Sequence, residues 1–171
     1  MNTNEGTAAA LRCLFDSSFV ASASSMTEPL EDLLAIRVGA DPYALRLSEI
    51  AGLYVDVNIV SVPSPVAQLL GIVSLRGRMA PVYDLAALLH YPPAVSPRWM
   101  ILAGAQPVGL AFETFETHLQ VPRASLVDGE DRGEGSGATR QHVRGVVRAA
   151  HALHPLIRVA SVVKLIRDNY S

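Results

Sequence analysis

Apolar and polar residues alternate along most of this chain with the period of a strand, and turn signals cut the pattern into short pieces. Residues 33–38 form an apolar run suited to a buried strand, and 43–47 return across a Gly39-Ala-Asp-Pro turn to complete a hairpin. Residues 48–53 read as a helical turn and 54–60 as an alternating strand. A proline-stiffened loop, Ser61-Val-Pro-Ser-Pro, and a short helical turn at 66–70 follow. Three prolines in Tyr91-Pro-Pro-Ala-Val-Ser-Pro predict a stiff connector. Beyond it, 99–103 and 108–112 are strands, and 113–121 reads as a helical turn passing into a strand.

The most informative stretch is Gly71-Ile-Val-Ser-Leu-Arg-Gly-Arg-Met-Ala-Pro-Val-Tyr-Asp-Leu. Strands at 72–75 and 79–83 flank a tight turn in which Gly77 supplies positive φ. Pro81 can donate no ladder hydrogen bond, which predicts an edge or a barrel corner. Asp84 is placed to cap a short helix at 85–89. Leu75, Val82 and Leu110 are expected to face interiors. The stretch holds no nucleophile or metal ligand set, but it presents one arginine at a hairpin end.

The chain also repeats itself. Residues 71–86 align without a gap on 145–160, placing Gly71 on Gly145, Val73 on Val147, Pro81 on Pro155 and Ala86 on Ala160. A second pair aligns 39–47 on 104–112, both hairpins with a Gly-Ala-Xaa-Pro turn. The two offsets differ, so the second copy carries an insertion, which the polar stretch 128–141 supplies. An internal duplication follows.

These residues carry a likeness. The chain resembles the CheW-like adaptor family of bacterial chemotaxis over about 33–166, with Pro65 and the 71–85 segment as its specific core. Leu47-Ser-Glu-Ile and His142-Val-Arg-Gly-Val-Val support it. The resemblance implies a mainly β fold of two similar five-stranded β-barrels packed together, with a few short helices. The corresponding division is a flexible extension at 1–30, able to form an amphipathic helix through Leu11, Leu14, Phe15 and Phe19, followed by one domain at 31–171. Within it the first barrel spans about 45–95 plus the chain ends, and the second about 98–160, with a mobile loop at 128–141. The chain departs from the family pattern at Arg158 and Ala160, where an acidic residue and a leucine-rich helix are usual.

Function is implied by the same resemblance: a non-catalytic scaffold coupling the cytoplasmic tip of a methyl-accepting chemoreceptor to the regulatory domain of a CheA-like histidine kinase. It implies partner binding at Leu47, Glu49, Gly71, Ser74, Arg76 and Gly77. For Arg76 and Glu49 two roles stay open, a direct clamp on a partner carboxylate and an intramolecular ion pair that orients the hairpin. Two alternative functions stand beside this one. One is a same-fold adaptor in a non-swimming chemosensory pathway, binding a different partner through its N-terminal extension; the other is a small β-barrel hydrolase.

Composition narrows the choice. The chain has 171 residues, half of them hydrophobic, and a formal net charge of −2, which offers no basic field to nucleic acid. Cys13 is the sole cysteine, so no intramolecular disulfide can form, and a cytoplasmic setting at membrane-associated receptor arrays is expected. No apolar run approaches the ~18 residues of a membrane span, so no direct membrane insertion is expected. His142, His151 and His154 lie close in sequence, but the repeat puts them on different edges of a barrel, arguing against a metal site. No Gly-Xaa-Ser-Xaa-Gly and no phosphate loop with its lysine occurs, so neither catalysis nor a cofactor is expected.

Overall fold

In the computed structural model, residues 29–127, 142–149 and 152–170 are described. The expectations for 1–28 and for 128–141, and for Cys13 and His151, lie outside them. Alternation drives the first hairpin, β1 (Leu30–Val38) and β2 (Asp41–Arg46). A 3₁₀ turn at Leu47–Glu49 leads into β3 (Ile50–Val55), so the strand starts earlier and the helical turn is shorter than the sequence pattern indicated. The central hairpin is β4 (Leu69–Leu75) and β5 (Arg78–Asp84), closed by Arg76 and Gly77 at φ 50° and 78°. Both turn residues being left-handed matches the twist of the strands.

Asp84 caps α1 (Leu85–Leu88), accepting from the amide of Ala86 at 2.9 Å and of Ala87 at 3.4 Å. Its other oxygen accepts from Ala94 at 2.8 Å, which fastens the proline connector to the same buried carboxylate. After the connector come β6 (Trp99–Ala103), β7 (Gly109–Phe112), β8 (Thr114–Pro122) and, past a 3₁₀ turn, the two-residue β9 (Leu126–Val127). Residues 114–122 are strand throughout, without the helical turn expected there. The chain ends in β10 (Val143–Ala149), β11 (Ala152–Ile157) and α2 (Val159–Tyr170).

The strands form two sheets, ordered β3-β6-β7-β5-β4 and β8-β1-β2-β11-β10-β9. The order is the same in both once the repeat is applied, with β8 for β3, β1 for β6, β2 for β7, β11 for β5 and β10 for β4. The register agrees along the β4–β5 and β10–β11 ladders and at the parallel pairs, whereas the two exchanged hairpins differ by two residues: Leu110 faces Ile101, but its equivalent Leu45 faces Leu34. Ile72 faces Pro81 as Val146 faces Pro155, and Val82 beside Gly109 in parallel is matched by Leu156 beside Ala44. The grouping corrects the sequence reading: β6 and β7 join β3–β5, while β1 and β2 join β8–β11. Each half of the duplication has given its hairpin to the other.

Each sheet curls back on itself. The segment after β3 returns so that Val60 and Ile72 exchange backbone hydrogen bonds at 2.8 and 2.9 Å. In the other sheet, β9 follows β8 within three residues and pairs with β10, at Val127–Val146 and Leu126–Val147. The mainly β, two-sheet architecture expected from the resemblance is thus present, as small SH3-like units whose ladders are interrupted where the strand bends. Gly71 lies at the seam with φ 149°, and a Cβ there would stand 2.2 Å from the Val60 carbonyl oxygen. Its repeat partner Gly145 also has positive φ, 98°. Pro81 is on an internal strand, but it precedes the first β5–β7 pair, and the backbone of Ile72 opposite is turned to Val60. No ladder bond is lost.

Three apolar clusters result. Val73, Val82 and Met100 fill one barrel, Leu33, Val147 and Leu156 the other. The largest lies between the sheets, where Ile36, Leu45, Ile101, Leu110 and Phe112 meet both helices. In α2 the buried Val159, Val162, Val163 and Ile166 recur at helical spacing, each burial contributing ~1.5–3 kcal/mol. Tyr91 of the connector meets Tyr43 hydroxyl to hydroxyl at 2.8 Å and donates to Asp41, joining the connector to the β1–β2 hairpin. Burial, and for Tyr91 also these hydrogen bonds, push both phenols above their ordinary value.

Candidate functional site

The β4–β5 and β6–β7 turns come together at one open end of the β3–β7 barrel. Between them lies a cleft of about 500 Å³. Its floor is apolar, made by Tyr54, Leu75, Ala80 and Leu102, and its far wall is the turn from Gly104 to Pro107. Arg76 and Arg78 stand on the rim, and the lining holds no aspartate or glutamate. Among the described residues neither arginine has an ion-pair partner. Strand alternation explains the arrangement: Leu75 and Ala80 point into the barrel, while Ser74 and Met79, opposite each other in the ladder, point out. Met79 is 72% exposed. Leu75 is only half-buried, since it lines this opening; Val82 and Leu110 are fully buried as expected.

Of the residues singled out from the sequence, Arg76 and Gly77 form the turn at the rim and Ser74 lies exposed on the outer face of β4. Leu47 is exposed on the 3₁₀ turn. Gly71 is elsewhere, buried at the seam under Val60. Glu49 does not pair with Arg76. Its carboxylate accepts from the amide of Ala160 at 3.2 Å, and its carbonyl oxygen accepts from the amide of Gly104 at 2.8 Å. The second bond fastens the Leu47–Glu49 turn to the far wall of the cleft. Arg78, Tyr54, Leu102 and the 104–107 turn were not singled out. The aligned Gly-Ala-Xaa-Pro hairpins were the available signal, but only the sheet order brings the second of them to this opening.

The cleft can take an apolar side chain on its floor and a carboxylate at its rim. Among the described residues, no group of three or more His, Cys, Asp or Glu is placed to hold a metal ion. His142 and His154 are both buried but apart in role. His142 Nδ1 meets Ser161 Oγ at 2.9 Å on α2, whereas His154 Nε2 faces Glu116 at 3.8 Å. Burial, reinforced by the nearby His90, holds His142 below its ordinary pKa.

Comparison with known proteins places the CheW-like domain on residues 32–168. No curated protein sequence matches the chain significantly. Among solved structures, the chain is similar to the scaffolding protein TtCheW from Thermoanaerobacter tengcongensis, with 18% identity and a TM-score of 0.66. That likeness covers 77% of this chain and 90% of the other, and at this identity it bears on the fold.

Proposed function

The chain belongs to the CheW-like domain family, and on that premise we propose that it is a non-catalytic adaptor in bacterial chemosensory signalling, joining a CheA-like histidine kinase to a chemoreceptor. The kinase's regulatory domain docks at the open end of the β3–β7 barrel, and the helical tip of the receptor lies in the groove between the barrels. Simultaneous binding raises the local concentration of kinase at the receptor without a chemical step. The chain then works in the cytoplasm at the receptor array. No described helix is long and apolar enough to cross a membrane.

The observation that carries this reading is the cleft with its unpaired Arg76. An arginine on a hairpin end, without a carboxylate partner among the described residues, contributes little to folding. It is free to clamp a partner carboxylate with two parallel hydrogen bonds. Titrating the full chain with the kinase and a receptor fragment tests the proposal. Arg76→Ala is expected to keep the parent's melting temperature and to weaken kinase binding about 10- to 150-fold, the equivalent of ~1.5–3 kcal/mol for one charge-assisted bond. Unchanged binding of both partners by Arg76→Ala overturns it.

A further inference from the structure

The cleft lies near the point where the chain enters the fold. The Pro29 carbonyl oxygen accepts from the amide of Arg123 at 2.9 Å, and β1 begins at the next residue, Leu30. Leu33 faces Arg46 across the β1–β2 ladder, so the turn Leu47–Glu49 that follows lies beside the start of β1. The Glu49 carbonyl then holds Gly104 on the far wall of the cleft. Along this path the entry point is at most about 25 Å from that wall, at ~3.3 Å per strand residue and ~5 Å per paired neighbour. Two exposed apolar side chains, Leu30 and Leu47, line the way.

The 28 residues before Pro29 carry the chemical complement of the cleft. Leu11, Leu14, Phe15 and Phe19 recur at helical spacing, an apolar stripe suited to the floor of Tyr54, Leu75 and Leu102. Three acids, Glu5, Asp16 and Glu28, stand against the single Arg12, a side-chain charge of −2. The rim opposes it with Arg76 and Arg78 over a lining that holds no acid. At helical spacing Asp16 borders the stripe beside Phe15 and Phe19, so carboxylate and rings arrive together. The ten-residue span from Phe19 to Pro29 reaches ~33–36 Å when extended, more than the distance to be covered. A short tether also holds the stripe at ~mM effective concentration, so even a weak contact is filled.

We propose that the chain's own segment Leu11–Phe19 occupies the cleft when no partner does, with its apolar stripe on the floor and Asp16 at the two arginines. The contact is autoinhibitory, because a partner must displace the segment to dock. This rests on the function proposed above, since it is the kinase's access to the cleft that the segment governs.

Cys13 is the sole cysteine, and helical spacing sets it opposite the stripe, so a nitroxide attached there reports the segment's resting place in the full chain. Without kinase, the amide signals of Leu75, Arg76, Leu102 and Gly104 are expected to broaden several-fold more than that of Leu153 in the other sheet. The double variant Phe15→Ser, Phe19→Ser should abolish this excess. It should also tighten kinase binding about tenfold, the ratio for a cleft covered nine-tenths of the time. Asp16→Arg should weaken the broadening, and Asp16→Arg with Arg76→Asp should restore it. Even broadening over the surface, broadening centred on another face, or a charge exchange that restores nothing overturns the proposal. So does broadening passed from labelled to unlabelled molecules in a mixed sample, which would give the cleft to a second copy's segment. The kinase arm separates the two readings. If neither parent nor double variant binds kinase, the adaptor function fails, and the broadening alone decides the contact. Kinase binding that the double variant leaves unchanged refutes the autoinhibitory contact and spares the adaptor.

Discussion

Glu49 and Ala160 are 111 residues apart in sequence, yet the carboxylate of the first accepts the backbone amide of the second at 3.2 Å. The contact satisfies one of the amides left open at the start of α2 and places negative charge at the positive end of the helix. Through its own carbonyl, Glu49 also holds Gly104 on the far wall of the cleft. The glutamate therefore belongs to the framework behind the cleft.

Glu49→Ala is expected to lower stability by ~1 kcal/mol, the usual loss on removing a helix cap, and Arg76→Ala to leave it unchanged. Thermal melts of the two variants check this. The charge exchange Arg76→Glu with Glu49→Arg should not restore kinase binding, because the parent has no Arg76–Glu49 pair to restore. Recovery in the double variant would contradict the observed geometry.

Gly71→Ala should damage the fold itself. A Cβ at 2.2 Å from the Val60 carbonyl must push the seam apart, at a backbone conformation that L-residues avoid. Gly77, by contrast, has open space around it, so Gly77→Ala carries only the strain of positive φ, ~1–3 kcal/mol. Urea unfolding should rank the two clearly. Any binding lost by Gly71→Ala is then a consequence of lost structure.

Leu75→Ala and Leu110→Ala should differ although both residues sit on apolar strands. Leu110 is fully buried in the cluster between the sheets, and its truncation should cost ~2–5 kcal/mol. Leu75 lines an opening that water already enters, so about 1 kcal/mol is expected, with a larger effect on kinase binding than on the melt. Equal destabilisation of the two variants would place Leu75 in a closed interior.

Acid should weaken the fold through His142. Its burial against α2 favours the neutral ring and holds its folded pKa below the ordinary value of about 6.5. In that window the unfolded chain binds more protons than the folded one, so stability rises with pH. The contribution is fully present above about pH 6.5 and is lost as pH falls toward the folded value. In His142→Gln this part of the slope should vanish, as read by urea titrations across pH 4.5–8.

Much of this was legible in the chain. Hairpins at 33–47 and 72–83, the left-handed turn at Gly77, the Asp84 cap and the duplication all depend on residues close in sequence. Local periodicity and turn chemistry specify such features directly. The C-terminal helix was not read from the sequence, although its buried face, Val159, Val162, Val163 and Ile166, recurs at helical spacing.

What only the tertiary structure decided is which sheet each hairpin joins. The β1–β2 and β6–β7 hairpins carry the same pattern and offer the same register to either parallel partner, β5 or β11. Local sequence cannot tell the exchanged pairing from the unexchanged one, because both satisfy the same ladders. The choice rests on chain connection and on the apolar cluster between the sheets, which are non-local. The same exchange brings the Gly104–Pro107 turn to Arg76. The chain by itself determined two like barrels; the exchange of hairpins decided which turns meet at the cleft, because it is fixed by contacts far apart in sequence.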